Sequence, residues 1–163
     1  MNVQSQKVAV ALAQLELGPR LVIPLVEEVP ERILKRRPAP RIWSAHEHAC
    51  HLPAVQPLMM ERLETMLTQP SPVITPYEPA HDDPDDALLQ VDLTEAMNRF
   101  RRERTAMIER LKQLTPAEWA TTAEHGEYSH YSVFIMFRHL AMHDLYHAYR
   151  IEQRLLNKEW GSI

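Results

Sequence analysis

The chain is divided by proline rather than by glycine, and this feature restricts its fold more than any other. It contains 13 prolines and only three glycines among 163 residues. Four long stretches lie between the proline-rich segments, and their apolar residues recur every three or four positions, as Val8, Leu12 and Leu15 do. So few glycines disfavour a fold with many tight turns. We therefore expect an all-α four-helix bundle that forms one domain over residues 1–163.

Local signals predict where the helices begin and end. Ser44 and Glu47 are spaced as a capping box at the start of the second helix, and Thr115 and Glu118 repeat this pattern for a short helix. The acidic, proline-rich residues 69–87 are expected to form a long, solvated crossover between the second and third helices. The expected long helices cover residues 3–29, 44–68, 88–114 and 130–157.

Charge and cysteine content exclude several classes of function. The formal net charge is −4, and arginine and glutamate are mixed along the chain, so we expect no nucleic-acid partner. The short basic run of Arg36, Arg37 and Arg41 is interpreted as a solvated loop. One cysteine cannot form an internal disulfide, which fits a cytoplasmic location. No apolar run approaches about 18 residues, so we expect neither a signal peptide nor a membrane span.

The stretch WSAHEHACHL, residues 43–52, is dense in side chains that bind metals. It misses the zinc-protease motif HExxH by one position, because Cys50 stands where the second histidine should be. On a helical wheel, His46 and Cys50 point to the polar side of the second helix. His48 and His51 lie within or near its apolar arc, and periodicity alone does not choose between them.

The last helix carries a second set of histidines. His139, His143 and His147 are four residues apart and form one stripe on the face expected to be buried. Imidazoles one turn apart can bind the same metal ion. A third histidine from the second helix would complete a three-histidine site with open positions for water or substrate.

These motifs resemble those of the DinB-like superfamily of up-down-down-up four-helix bundles. The family pattern of Trp-Ser, then glutamate and histidine, matches Trp43, Ser44, Glu47 and His51. A histidine pair with an acid after its first member matches the last helix. The metal ligands that this resemblance implies are His51, His143 and His147.

The resemblance leaves other residues with secondary roles. His48 and His139 are then expected to be structural or to support the ligands, and Asp144 either to orient an imidazole or to form an ion pair. The chain departs from the family where Arg150 stands in place of a common amide, which indicates an anionic substrate or an ion pair with a buried acid. Cys50 is a poor candidate for a nucleophile, because it points away from the predicted site.

Three functions follow from these observations. The resemblance favours a metal-dependent enzyme, a thiol S-transferase or a hydrolase, that uses a zinc, nickel or iron ion to activate a low-molecular-weight thiol or water against a small-molecule substrate. The alternative is a non-catalytic, stress-associated protein that binds a metal or a small ligand. The third is a purely structural homodimer, which is expected because the last helix is apolar around much of its circumference. The apolar residues that suggest this interface are Phe134, Ile135, Phe137, Met142, Leu145 and Tyr149.

Overall fold

The computed structural model describes residues 3–76 and 86–158. Most of this part of the chain is helical. The elements, in chain order, are α1 (Val3–Glu27), α2 (Glu31–Leu34), α3 (Ala45–Thr68), β1 (Val73–Ile74), α4 (Ala87–Gln90), α5 (Leu93–Lys112), α6 (Pro116–Ala120), β2 (Glu124–His125) and α7 (Val133–Leu155). The four long helices are therefore those that the sequence predicts, with ends shifted by a few residues.

The buried apolar residues form two layers along the bundle. The first layer is built from residues 22–26 of α1, 45–52 of α3, 96–100 of α5 and 148–155 of α7. The second layer is built from Leu15 of α1, residues 55–66 of α3, 107–111 of α5 and 133–141 of α7. The order in which each helix passes through the layers shows that α1 and α7 run one way and that α3 and α5 run the other way. The expected up-down-down-up four-helix bundle is confirmed.

Proline does not end the helices. Pro19 and Pro24 lie inside α1, and Pro53 and Pro57 lie inside α3. Each proline removes the N–H that would bond to the carbonyl four residues earlier. For Pro19 that carbonyl belongs to Leu15. The side chain of Arg104, from α5, donates a hydrogen bond to this carbonyl in place of the missing N–H. The helix thus continues without leaving this buried oxygen unpaired.

The crossover prediction is wrong for part of the segment. Val73 and Ile74 form β1, which pairs in parallel with β2, and the Ile74 side chain is buried. The three β-branched residues between Pro72 and Pro76 are too few to show a strand period in the sequence. Residues 77–85 lie outside the described part of the chain.

By length and composition alone, Gln4–Glu27 of α1 is apolar enough to cross a membrane, with a mean hydropathy of 1.5. No other helix in residues 3–76 and 86–158 passes this test. Leu15, Val22 and Val26 of α1 are buried in the bundle core. The apolar surface of α1 is therefore accounted for in part by its packing against α5 and α7.

The apolar residues expected to form a dimer interface divide into two groups. Phe137 is fully buried, and Phe134 and Ile135 pack partly against the second core layer. Met142 and Tyr149 are each 59% exposed, and Leu145 between them is half-buried. The exposed stripe on α7 is consequently narrower than the sequence suggests.

Candidate metal centre

The candidate site begins with the cap of α3. The Ser44 hydroxyl accepts a hydrogen bond from the Glu47 backbone N–H, and the Glu47 carboxylate accepts one from the Ser44 backbone N–H at 2.8 Å. Arg37 donates to the same carboxylate through Nε at 3.0 Å. Burial raises the pKa of Glu47, but the hydrogen bonds from Arg37 and Ser44 outweigh it and lower the pKa overall. The predicted capping box is confirmed, whereas the interpretation of Arg37 as solvated is wrong.

The structure brings together the three histidines that the resemblance implies. His51 lies in the first half of α3, and His143 and His147 face it from the antiparallel α7. The Nε2 atoms of His51 and His143 are 3.3 Å apart, and those of His143 and His147 are 3.1 Å apart. One ligand atom from each of the three residues lies within 4.8 Å of the other two. Trp43 packs against this cluster, with its ring centroid 4.9 Å from that of His51.

This donor set fits a small divalent ion. Two nitrogens bound to one tetrahedral ion at about 2.0–2.1 Å lie about 3.3 Å apart. Both measured Nε2 separations are close to that value. Burial lowers the pKa of His143 to about 3 and also lowers the pKa of His147, and neighbouring imidazoles add to both shifts. The imidazoles of His143 and His147 are thus held in the neutral form that binds metals.

His48 contacts the cluster of three histidines through His147. Its Nδ1 lies 2.8 Å from Nδ1 of His147, so one of the two rings donates to the other. An ion bound at His147 Nε2 would leave the His147 proton on Nδ1, from which it is donated to His48. His48 is therefore placed to fix the tautomer and the ring orientation of His147.

Comparisons with known proteins agree with this geometry. A model of the DinB superfamily matches residues 14–151. The chain belongs to the DinB superfamily. A solved structure, described as YfiT from Bacillus subtilis, "a probable metal-dependent hydrolase with an unusual four-helix bundle topology", superposes with a TM-score of 0.81. It is 18% identical, and the match covers 94% of this chain and 88% of that one, which establishes the shared fold. No curated protein matches the chain.

Two residues of this DinB superfamily member were expected on a polar face and are instead buried. His46 is 1% exposed and Cys50 is 2% exposed. They point away from the three histidines, as expected, but α4 covers them, and His46 Nε2 lies 3.1 Å from the carbonyl oxygen of Leu88. Burial raises the pKa of Cys50 to about 12, which leaves the thiol protonated. The helical wheel gave the wrong environment because it contains no information about α4.

The other expected contributors to this DinB site also lie elsewhere. His139 is exposed and does not join the cluster, so its placement on the buried arc is wrong. Asp144 forms an ion pair with Arg104 rather than with Arg150 or an imidazole. Arg150 instead donates to the Tyr146 hydroxyl at 3.1 Å. Sequence reasoning did not identify Arg104, although Arg104 lies four residues after Phe100 and three before Met107, on the buried stripe of α5.

A groove of about 530 Å³ opens onto the three histidines. Trp43, Tyr146 and Ile42 supply its apolar and aromatic walls, and His48 also borders it. Its charged lining residues are all arginines: Arg41, Arg150 and Arg154. Arg154 was not predicted to contribute, although it continues the stripe of His143, His147 and Arg150 along one face of α7.

His143 also borders a second cavity, of about 210 Å³. The lining of this cavity is mainly apolar and aromatic, and it includes Tyr128, Tyr131, Met136 and His139. His139 therefore lies beside the site rather than in it. The candidate centre is thus open to cavities of two kinds, one rich in arginine and one rich in aromatic side chains.

Proposed function

We propose that this DinB superfamily member is a metal-dependent enzyme that binds a divalent ion through His51, His143 and His147. The observation that carries the proposal is the convergence of three Nε2 atoms at a groove. The group has no fourth histidine, cysteine or acid within the described residues. Structural zinc sites usually have four protein ligands, whereas catalytic sites keep a position open for water or substrate.

The bound ion would supply Lewis-acid chemistry, which activates a water molecule or a thiol as a nucleophile. The residues of the chain prepare the site for this. His48 orients His147 through the Nδ1 contact, and Trp43 covers one side of the imidazoles and limits access of water. No side chain of the protein is needed as a nucleophile, which agrees with the protonated, buried Cys50. A hydrolase and a thiol S-transferase are both consistent with this division of roles.

Metal content tests the ligand assignment. Protein purified without an affinity tag should contain about one equivalent of zinc, nickel or iron by elemental analysis. The variant His143→Ala should lose this metal, because two imidazoles remain. His139→Ala is the matched control, since His139 lies one turn earlier on the same helix and outside the cluster, and it should keep the metal. Full metal content in His143→Ala would refute the assignment.

An assay of turnover separates an enzyme from a binding protein. Metal-loaded protein should be tested with esters and amides for hydrolysis, and with low-molecular-weight thiols plus electrophilic acceptors for transfer. We expect one of the two reactions, lost in His143→Ala and kept in His139→Ala. Stoichiometric metal without any turnover would support the non-catalytic alternative instead.

A further inference from the structure

The cavity beside His143 is the second space that reaches the predicted metal ligands. It has a volume of about 210 Å³, and His143 borders both this cavity and the groove at the three histidines. Its inner walls are apolar and come from α3 and α7: Val55, Leu58, Met59, Met136 and Leu140. A group held in this cavity therefore lies next to one of the three residues that bind the proposed ion.

The outer wall of the cavity is a cluster of rings on the segment that joins β2 to α7. The rings of Tyr128 and Tyr131 are nearly parallel, and their centroids are 6.1 Å apart. The centroid of the His125 ring lies 4.7 Å from that of Tyr128 and 4.5 Å from that of Tyr131. All three residues line the cavity. Aromatic side chains pack favourably against a further aromatic ring, in stacked or edge-to-face arrangements.

The two-stranded sheet holds this outer wall against α3. β1 pairs with β2, and Thr122 forms a bridge with Ser132 at the start of α7. Arg62 of α3 donates to the carbonyl oxygen of Thr75 at 2.6 Å and hydrogen-bonds to the side chain of Tyr131. The cavity is therefore formed before any ligand binds, which lowers the entropic cost of binding.

The size and the charge of the lining indicate an uncharged ring. A cavity of roughly 150 Å³ is sufficient for benzene, so this larger one has room for a six-membered ring and a short linking group. Among the Asp, Glu, Lys and Arg residues of the described chain, only Arg62 and Glu127 line it, and their charges are opposite. The thioethers of Met59 and Met136 pack favourably against aromatic rings.

We propose that this cavity binds an uncharged aromatic ring of the substrate, and that the ring holds the hydrolysable or electrophilic group beside His143. The substrate class is thus a small aromatic compound, such as an ester or amide of an aromatic acid. The role of the ring in catalysis rests on the proposed function, whereas binding of the ring needs only residues of the chain.

The test uses three uncharged amides that differ only in the group to be bound. Benzamide, cyclohexanecarboxamide and acetamide are each titrated into the full-length, chelator-treated protein by calorimetry. Benzamide should bind at least about tenfold more tightly than acetamide, because acetamide cannot fill the cavity. Cyclohexanecarboxamide should bind more weakly than benzamide, since its saturated ring loses the aromatic contacts. Equal affinity for benzamide and acetamide would overturn the proposal, and equal affinity for the two ring compounds would overturn the preference for an aromatic ring.

Variants assign the binding to the cavity. Met59 and Met60 are adjacent, half-buried residues of α3, but only Met59 lines the cavity. Met59→Trp should fill part of the space and weaken benzamide binding by about tenfold or more, whereas the matched control Met60→Trp should bind benzamide as the wild type does. Tyr128→Ala removes part of the outer wall and should also weaken binding. Tyr128 is 45% exposed, so this variant should remain folded. Benzamide affinity that is unchanged in both Met59→Trp and Tyr128→Ala would refute the assignment.

Metal content and turnover keep the two proposals separate. Met59→Trp should still bind about one equivalent of metal, because Met59 is not a predicted ligand. In the turnover assay, a benzoate ester should have a higher kcat/KM than the matching acetate ester, and Met59→Trp should reduce this preference. If the wild-type protein binds benzamide but no metal, the proposed function fails and the ring-binding cavity stands. If it binds metal and turns over substrate without binding benzamide, the ring-binding cavity fails alone.

Discussion

Arg104 is 1% exposed, although arginine is usually found at protein surfaces. It donates to Asp144, to the Gln56 side-chain oxygen at 2.9 Å and to the Leu15 carbonyl oxygen at 3.0 Å. The last of these oxygens is the one that Pro19 leaves without a backbone donor. Asp144 directly follows His143. One buried side chain thus joins α1, α3 and α7 next to a predicted ligand.

Breaking this ion pair should destabilise the protein strongly. Asp144→Leu leaves the Arg104 charge buried without its carboxylate partner, and we expect a loss of about 3–5 kcal/mol in the free energy of unfolding. The double variant Arg104→Met with Asp144→Leu should lose less than Asp144→Leu alone, because no buried charge remains. Urea unfolding measures both values. The exposed pair of Arg110 and Glu64 is the control, and Arg110→Gln should cost at most about 1 kcal/mol. Similar losses in the free energy of unfolding for the two pairs would show that burial does not strengthen the effect of breaking an ion pair.

Buried histidines should make the metal-free protein sensitive to mild acid. Burial lowers the pKa of His48 to about 3 from the ordinary value of 6.5, and it lowers the pKa of His46 as well. Between pH 3 and 6.5 the unfolded chain therefore binds more protons than the folded chain, so stability falls as the pH falls. This stability is fully present above about pH 6.5. Each such histidine contributes a slope of up to about 1.4 kcal/mol per pH unit.

Urea unfolding of chelator-treated protein between pH 7.5 and pH 5 measures this slope. This pH range lies above the one in which carboxylates ordinarily titrate. His48→Leu should flatten it, because the unfolded chain then has one site fewer. The slope is the readout rather than the absolute stability, which the substitution also changes. A free energy of unfolding that stays constant from pH 7.5 to pH 5 would contradict the expectation.

At the level of helices, the sequence predicted correctly those features that local chemistry determines. The capping boxes of Ser44 with Glu47 and of Thr115 with Glu118 are both present, and they fix the starts of α3 and α6. The stripe of His143 and His147 depends only on the helical period, and the structure places it as expected. The choice of His51 over His48 depended on family resemblance, because both side chains face α7.

The features that sequence reasoning missed depend on neighbouring elements. The burial of His46 and Cys50 results from α4, and the burial of Arg104 results from a carboxylate 40 residues away. Gly18 shows the same dependence. A Cβ atom at this position would lie 3.0 Å from Cγ of Asp144 and 3.1 Å from Nη1 of Arg104, so the close approach of α1 requires glycine. No local pattern in α1 contains that information.

At the scale of the whole molecule, the topology places the site where two antiparallel helices cross. Because α3 and α7 run in opposite directions, the first half of α3 meets the middle of α7. His51 and His48 then face the two histidines of α7 at neighbouring heights. The same arrangement directs one face of α7, including Arg150 and Arg154, into the groove. An adjacent face of α7 is left without a partner within the described residues.

That adjacent face is where we expect the predicted homodimer to form. Met142 and Tyr149 are seven residues apart and so lie on the same side of α7, and each is 59% exposed. Clustered, exposed apolar side chains favour an interface between copies of the chain. Light scattering coupled to size exclusion should give twice the monomer mass of 19.0 kDa. The double variant Met142→Glu with Tyr149→Glu should give the monomer mass, since facing copies would then bring like charges together.

Val10→Glu is the control for this double variant. Val10 is also 58% exposed, but it lies on α1 rather than on α7, so Val10→Glu should remain dimeric. A monomeric wild-type protein at high concentration would rule out the homodimer, and a dimer that persists in the double variant would place its interface elsewhere.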